Sequence, residues 1–201
     1  DRRQRQMCIR DSPLTAGYIK EVCDTPDYVQ ARIDDNYNFD DDEYFITENR
    51  THKLADNMAA YIAEKGYNAF SQSDENLIAE GKFDAAHKES LLPNKTIALL
   101  AGLGWIGKNN LLITPEYGAA QCLGTVLTDA PLETFLCETL HPHCGKCTAC
   151  VNICERKVLK GKVWSTSVSR DEIVDVYGCS TCLKCLVHCP YTRRYCKQST
   201  K

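Results

Sequence analysis

Eight of the chain's 13 cysteines form two runs of identical spacing, Cys144-x-x-Cys147-x-x-Cys150-x-x-x-Cys154 and Cys179-x-x-Cys182-x-x-Cys185-x-x-x-Cys189-Pro190. Thiolates are soft ligands suited to iron–sulfur chemistry. Three of them at intervals of three residues wrap one corner of an iron–sulfur cube, and the fourth points away and ligates a second cube. The spacing therefore predicts one 4Fe-4S cluster on Cys144, Cys147, Cys150 and Cys189, and another on Cys179, Cys182, Cys185 and Cys154. A lone CxxC would be a weak sign, because zinc ribbons and redox pairs use it too. Zinc, however, takes ligand pairs separated by a longer stretch, so two complete runs favour clusters. The chemistry of such a pair is low-potential, one-electron transfer.

The remaining cysteines, Cys8, Cys23, Cys122, Cys137 and Cys196, lie outside both runs. Cys122 and Cys137 are read as small apolar residues, the usual state of a buried free thiol. Cys196 is close enough to Cys189 to serve as a spare ligand. His141 and His143 flank Cys144 and are expected to tune a cluster by hydrogen bonding. Cys154 is followed by Glu155, whereas Cys189 keeps the proline that ends the bacterial ferredoxin run. An odd cysteine count and the absence of a secretory leader point to metal-held thiols in the cytoplasm rather than to disulfides.

A second motif is GLGWIGKN at 102–109. Gly102, Gly104 and Gly107 match the dinucleotide fingerprint, but that fingerprint needs a strand before it and a helix after it. Here a helix comes first and LLIT follows. Gly102 to Lys108 also approaches the phosphate-binding loop, yet Asn109 stands where magnesium would need a Ser or Thr hydroxyl. The bland alternative is a tight turn in which glycine permits positive φ and close backbone approach, with Trp105 and Ile106 packed in a core or against a flat cofactor.

These residues are carried by a chain of 201 residues, 43% hydrophobic and 25% charged, enough for one or two small domains. No apolar stretch reaches the roughly 20 residues of a membrane-spanning helix, so no membrane partner is expected. His141–Lys201 has a charge balance of +7 against −10 for the first 140 residues. Two clusters of about −2 each, thiolates included, would offset much of that; an acidic protein or a nucleic acid bound to this third of the chain would do the same. A helix is predicted over Thr51–Lys65, with Leu54, Met58, Tyr61 and Ile62 as its apolar face and Gly66 as its stop. A short strand at Tyr67–Phe70, a helix at Thr96–Ala101, and two strands at Leu111–Thr114 and Ala120–Leu127 joined by a turn complete the reading. The acidic stretch at 34–43 reads as a solvated loop or helix end. Residues 1–12 show no periodicity and are expected to lie outside the native fold. The expected fold class is α+β: a shortened α/β domain at 13–135, a two-cluster ferredoxin-like domain at 136–195, and a basic tail at 196–201.

The segment TIALLAGLGWIGKNNLLITPEYGAAQCLGTVLTD at 96–129, followed by the double cysteine motif, resembles the epoxyqueuosine reductase family, relatives of the corrinoid reductive dehalogenases. The resemblance covers about residues 51–195. It implies a cobalamin-binding α/β region, here including Gly102, Gly104, Trp105, Gly107 and Lys108, fused to a ferredoxin-like module that passes electrons to cobalt. It also implies reduction of an epoxide on the queuosine precursor in tRNA. The family's proton-donating aspartate falls where this chain reads HKESLLPNK (87–95), with Glu89 and Asp84 as the nearest carboxylates; Glu89 is the candidate catalytic acid. The second run keeps its four cysteines together, where full-length reductases spread them out, as in the short ferredoxin-type relatives. Three functions follow as expectations. The first is an electron-transfer protein that passes electrons to a corrinoid or corrinoid protein, with Lys184, Arg193, Arg194 and Lys197 steering an acidic partner such as flavodoxin. The second is a cobalamin-dependent reductase, and the third a nucleic-acid-binding module, which lacks aromatic residues interleaved with the basic stretch.

Overall fold

The computed structural model describes residues 5–10, 13–26, 28–34, 41–133 and 138–199. The first element, strand β1 (Arg5–Arg10), lies in a segment where the sequence shows no periodicity. It forms because an edge strand borrows its order from the neighbouring ladder, here six consecutive residues in antiparallel register from Arg5 opposite Thr128 to Arg10 opposite Leu123. Helix α1 (Ala16–Asp24) starts at Thr15, whose hydroxyl accepts from the Tyr18 amide, and buries Tyr18, Ile19 and Val22. After α2 (Tyr28–Asp34) comes α3 (Glu43–Glu64), 22 residues long and so begun eight residues before the predicted start.

The start of α3 is set by Asp42, which accepts from the Tyr44 amide at 2.9 Å and from the hydroxyls of Tyr18 and Tyr28 at 2.7 Å each. Asp42 is 1% exposed, so the acidic stretch ends in a buried helix cap rather than a solvated one; its residues 35–40 lie outside the described residues. Burial, followed by the Asp42 carboxylate, pushes the Tyr18 hydroxyl far above its ordinary pKa. Replacing Asp42 by alanine is expected to orphan two buried hydroxyls and a helix cap together, at a cost of about 2–4 kcal/mol in urea unfolding.

The buried face of α3 is Thr47, Thr51, Ala55 and Ile62, while Leu54 and Tyr61 are exposed. The predicted face is therefore rotated, and the reason is proximity to the sheet. A Cβ on Gly124 would meet Thr51 at 3.2 Å and Ala55 at 3.4 Å, so only small side chains fit between helix and strand. Past Gly66, whose φ is +86°, come β2 (Ala69–Ser71), α4 (Asp74–Ala79), and the two-residue strands β3 (Phe83–Asp84) and β4 (Glu89–Ser90), which pair as an exposed hairpin. Then follow α5 (Asn94–Leu100), β5 (Trp105–Ile106), β6 (Leu112–Ile113) and β7 (Leu123–Thr128).

The predicted strands at 111–114 and 120–127 exist in shortened form but do not pair with each other. β6 pairs with β5, and β7 lies at the centre of an antiparallel sheet of order β1-β7-β2. The turn between them is closed instead by a bridge from Thr114 to Gly118. Beyond residue 138 the elements are short: α6 (Ala149–Ile153), α7 (Lys184–Val187) and α8 (Pro190–Ser199). Residues 196–199, read as a tail, are the last turn of α8. Mixed helix and antiparallel sheet make this an α+β fold. The main core joins Leu14, and Tyr18 and Val22 of α1, to Trp105 and Ile113 of the hairpin and to Leu186, Val187 and Cys189 of the second cysteine run. No helix among the described residues is long and apolar enough to cross a membrane.

Candidate metal centre

The two cysteine runs exchange their last members. Cys144, Cys147 and Cys150 share a cavity of about 160 Å³ with Cys189 of the other run, walled by His143, Pro190 and Tyr191. Cys179, Cys182 and Cys185 share a second cavity, of about 380 Å³, with Cys154. The exchange follows from local structure. α6 carries Cys150 and ends at Cys154, which its C-terminal cap turns away from the first cavity. α7 carries Cys185 and stops at His188, leaving Cys189 to open α8. α6 and α7 pack together, and Cys150, Cys154 and Cys185 join Val151, Val158 and Val176 in one apolar cluster.

The four cysteines that line each cavity are soft thiol donors, the kind that iron–sulfur clusters take. Among the described residues no group of three or more His, Cys, Asp or Glu side chains converges closely enough to hold one metal ion. Burial, followed by the charges of neighbouring cysteines, pushes Cys150 up to about 11 and Cys185 up to about 12. As free thiols they stay protonated at neutral pH, and a metal cluster must displace those protons. The loop of the second run is wound to aim at its cavity: Thr181 and Leu183 hold φ of 56° and 59°, and the Thr181 amide donates to Cys179 Sγ at 3.4 Å. A β-branched residue in that region is strained and persists only where its surroundings demand it.

The GLGWIGKN loop locks both cysteine loops from one side. Lys108 Nζ donates to the carbonyls of Gly145 (2.8 Å) and Cys147 (3.0 Å) in the first run. Asn109, 5% exposed, donates from Nδ2 to the Cys185 carbonyl in the second run at 3.3 Å, while its Oδ1 accepts from the Leu111 amide. This clamp is the feature that sequence reading misses; the adjacency of Lys108-Asn109 to a short hairpin is the signal that could have located it. Changing Lys108 to Met and Asn109 to Ala together is expected to shorten the lifetime of reconstituted clusters in air by several-fold, read from the decay of visible absorbance.

Of the other four residues assigned to a corrinoid region, Gly104, Trp105 and Gly107 are buried within the chain. A Cβ on Gly104 would lie 2.2 Å from the Ile113 carbonyl oxygen, and one on Gly107 would lie 2.3 Å from Ile113 Cδ1. What the glycines approach is the partner strand of their own hairpin. Gly102, at φ 72°, ends α5. Trp105 is 1% exposed, edge-to-face with His143 at 5.0 Å and Tyr191 at 4.9 Å. Its Nε1 has no hydrogen-bond partner among the described residues. The close approaches at Gly104 and Gly107 are thus made to Ile113 within the chain.

Glu89 sits on the exposed β3–β4 hairpin in an ion pair with Arg170 at 3.2 Å and lines neither cavity; Asp84 holds His87 at 2.7 Å on the same hairpin. Both are surface charges, so neither is placed as a catalytic acid. Lys184 is also misplaced by sequence reading: it is 6% exposed and donates to the carbonyls of Val22 at 2.7 Å, Cys23 at 3.2 Å and Thr25, the last turn of α1. Cys122 is buried, donating to the Tyr44 carbonyl at 3.9 Å, and Cys137 and the side chain of Cys8 lie outside what is described. Cys196 lines neither thiol cavity but a surface groove shared with Cys23, which excludes it as a spare ligand here. His143 walls the first cavity and His141 is exposed.

No family model matches the chain. It is 35% identical over 119 residues to the epoxyqueuosine reductase of Listeria monocytogenes, covering 51% of this chain and 30% of that protein. Among solved structures, a crystal structure of epoxyqueuosine reductase with an epoxyqueuosine-modified tRNA-Tyr stem loop matches with a TM-score of 0.53 at 19% identity, over 73% of this chain and 39% of that one. A catabolic reductive dehalogenase matches with a TM-score of 0.66 at 20% identity, over 98% of this chain and 27% of the dehalogenase, which shows a shared fold. The chain thus spans about a third of the length of the proteins it matches, and over that span it is similar to epoxyqueuosine reductases and shares their fold.

Proposed function

We propose that the chain is an iron–sulfur electron-transfer protein with two low-potential 4Fe-4S clusters, working in a reducing compartment. The observation that carries this is the exchange of the fourth cysteine between runs, which gives each cavity four thiols from two distant segments. When bound, each cluster stores and passes one electron. The chain's own residues do the rest. Val151, Val158 and Val176 pack with Cys150, Cys154 and Cys185 in one apolar cluster, which ties members of both thiol sets together. Lys108 and Asn109 fix the two loops against one hairpin, so the sets keep their mutual position. Lys95 lines the second cavity, donates to the Asn110 carbonyl at 3.0 Å, and brings a positive charge towards a site that takes on negative charge; its burial pushes it down to about 8.

A second reading is reduction of the epoxide of tRNA-borne epoxyqueuosine, favoured by the likeness to the reductase solved with a modified stem loop. It needs a corrinoid and a positioned acid, and the loop packing and the Glu89–Arg170 pair supply neither. EPR on anaerobically reconstituted protein separates the two. Spin-coupled signals from two reduced clusters and about eight iron atoms per chain are expected, with an unchanged spectrum for added cob(II)alamin. Bound zinc with no signal would end the electron-transfer reading. A base-off cob(II)alamin spectrum that appears only with protein would support the reductase.

A further inference from the structure

Beside the ligand loops, α8 walls an open groove of about 680 Å³. Its basic side chains are Arg193, Arg194 and Lys197, and none of the described residues lining it is acidic. The floor is made of the immediate chain neighbours of cluster ligands. His188 and Pro190 flank Cys189, Ala149 precedes Cys150, and Ile153 precedes Cys154. The groove therefore covers backbone belonging to both thiol sets. One of its cations is held in place by the site itself: Arg194 lies 4.6 Å over the ring of Tyr191, which walls the first cavity.

Resting on the electron-transfer reading above, we infer that this groove docks an acidic electron-transfer protein, whose carboxylate rim engages Arg193, Arg194 and Lys197 while its one-electron donor sits over the Cys189 and Cys150 segments. Charge complementarity selects the partner: three cations without a lining carboxylate attract a carboxylate-rich surface and accelerate encounter more than they strengthen the complex. Position selects its role, because the groove floor is covalently adjacent to three ligands of two sets at an open surface. A nucleic acid is the less fitting occupant, since the groove is lined by no Phe, Tyr or Trp and His188 is its only ring for a base to stack on among the described residues, where single-strand binding uses successive aromatic platforms. The step moves one electron from reduced partner to cluster; no bond forms and no proton is transferred.

The test uses reconstituted protein and photoreduced flavodoxin as an acidic one-electron probe, followed by anaerobic stopped flow. Reversing Arg193 and Lys197 together (R193E/K197E) is expected to lower the second-order rate about ten-fold or more at low ionic strength. It should also abolish the fall in rate that added salt causes in the unaltered protein. Should the double variant fail to assemble clusters, R193E and K197E singly carry the test, with several-fold losses each. Methyl viologen, a small cationic reductant, separates failure of the clusters from failure of the docking surface. Clusters that it cannot reduce would refute the electron-transfer reading itself. Clusters that it reduces, with a flavodoxin rate insensitive to the reversals, would overturn the docking surface alone. Salt-sensitive binding of an RNA hairpin that the reversals abolish, with the flavodoxin rate unmoved, would assign the groove to nucleic acid and likewise overturn it.

Discussion

Changing Cys189 to alanine is expected to remove the cluster of the first cysteine run and spare that of the second, although Cys189 belongs to the second run. Changing Cys154 to alanine is expected to do the reverse. The reason is positional. Cys189 shares its cavity with Cys144, Cys147 and Cys150, and Cys154 shares its own with Cys179, Cys182 and Cys185. Each substitution leaves three thiols where four are needed, so iron content should fall from about eight to about four atoms per chain. The loss of magnetic coupling between clusters would then expose the isolated signal of the survivor. Identity of that survivor is the discriminating readout. In the Cys189→Ala protein, a further Cys179→Ala change should eliminate the remaining signal, whereas a further Cys144→Ala change should leave it. The opposite pattern would mean that each run holds its own cluster and that the exchange is wrong.

The grouping of cysteines around the two cavities follows the spacing of the runs, because spacing is a local property of the chain. The helix at 51–65 was legible for the same reason, but only part of its buried face was: Ile62 is buried and Met58 packs against the core, whereas Leu54 and Tyr61 are exposed. Periodicity selects the largest apolar side chains, Leu54 and Tyr61, whereas closeness to Gly124 selects the small ones, Thr51 and Ala55. Nothing in a one-dimensional pattern reveals that a strand passes so near. Strand pairing fails similarly: 111–114 and 120–127 look like a hairpin by proximity, but the residues that order β7 lie more than fifty positions upstream, in β1 and β2.

Charged residues were the other blind spot. Lys184 and Asp42 look like surface groups by type, and each is buried because it satisfies backbone or hydroxyl groups that no apolar residue could. The glycine motif was misread in the opposite sense. Its spacing invites a cofactor, yet each close approach is taken up by Ile113 of the same hairpin, and the polar pair that follows it, Lys108 and Asn109, is what reaches the candidate metal centre.

Gly118 shows how tightly that centre is tied to the rest of the chain, and Gly118→Ala is expected to be the most destabilising single-methyl change in this region. Two costs combine there. Gly118 holds φ of +63°, a conformation that costs an L side chain about 1 kcal/mol. A Cβ would also fall 2.2 Å from the Thr192 amide nitrogen and 2.6 Å from Thr192 Cα, which are backbone atoms in the first turn of α8 and cannot swing aside. Overpacking of that kind adds roughly 1–3 kcal/mol, for a total of about 2–4 kcal/mol. Relief would require α8 to shift, breaking the 3.0 Å hydrogen bond from the Ala119 amide to the buried Thr192 hydroxyl and dragging Cys189, which directly precedes the helix. Gly66→Ala isolates the first cost: its φ is +86°, but nothing lies within 4 Å of the added methyl. That variant should lose only about 1 kcal/mol and keep both clusters. Urea unfolding of the anaerobic proteins gives the stabilities, and EPR the clusters. A Gly118→Ala protein no less stable than Gly66→Ala, with both signals intact, would mean that α8 does not press on the 115–118 turn and that Cys189 is positioned by the cysteine loops alone.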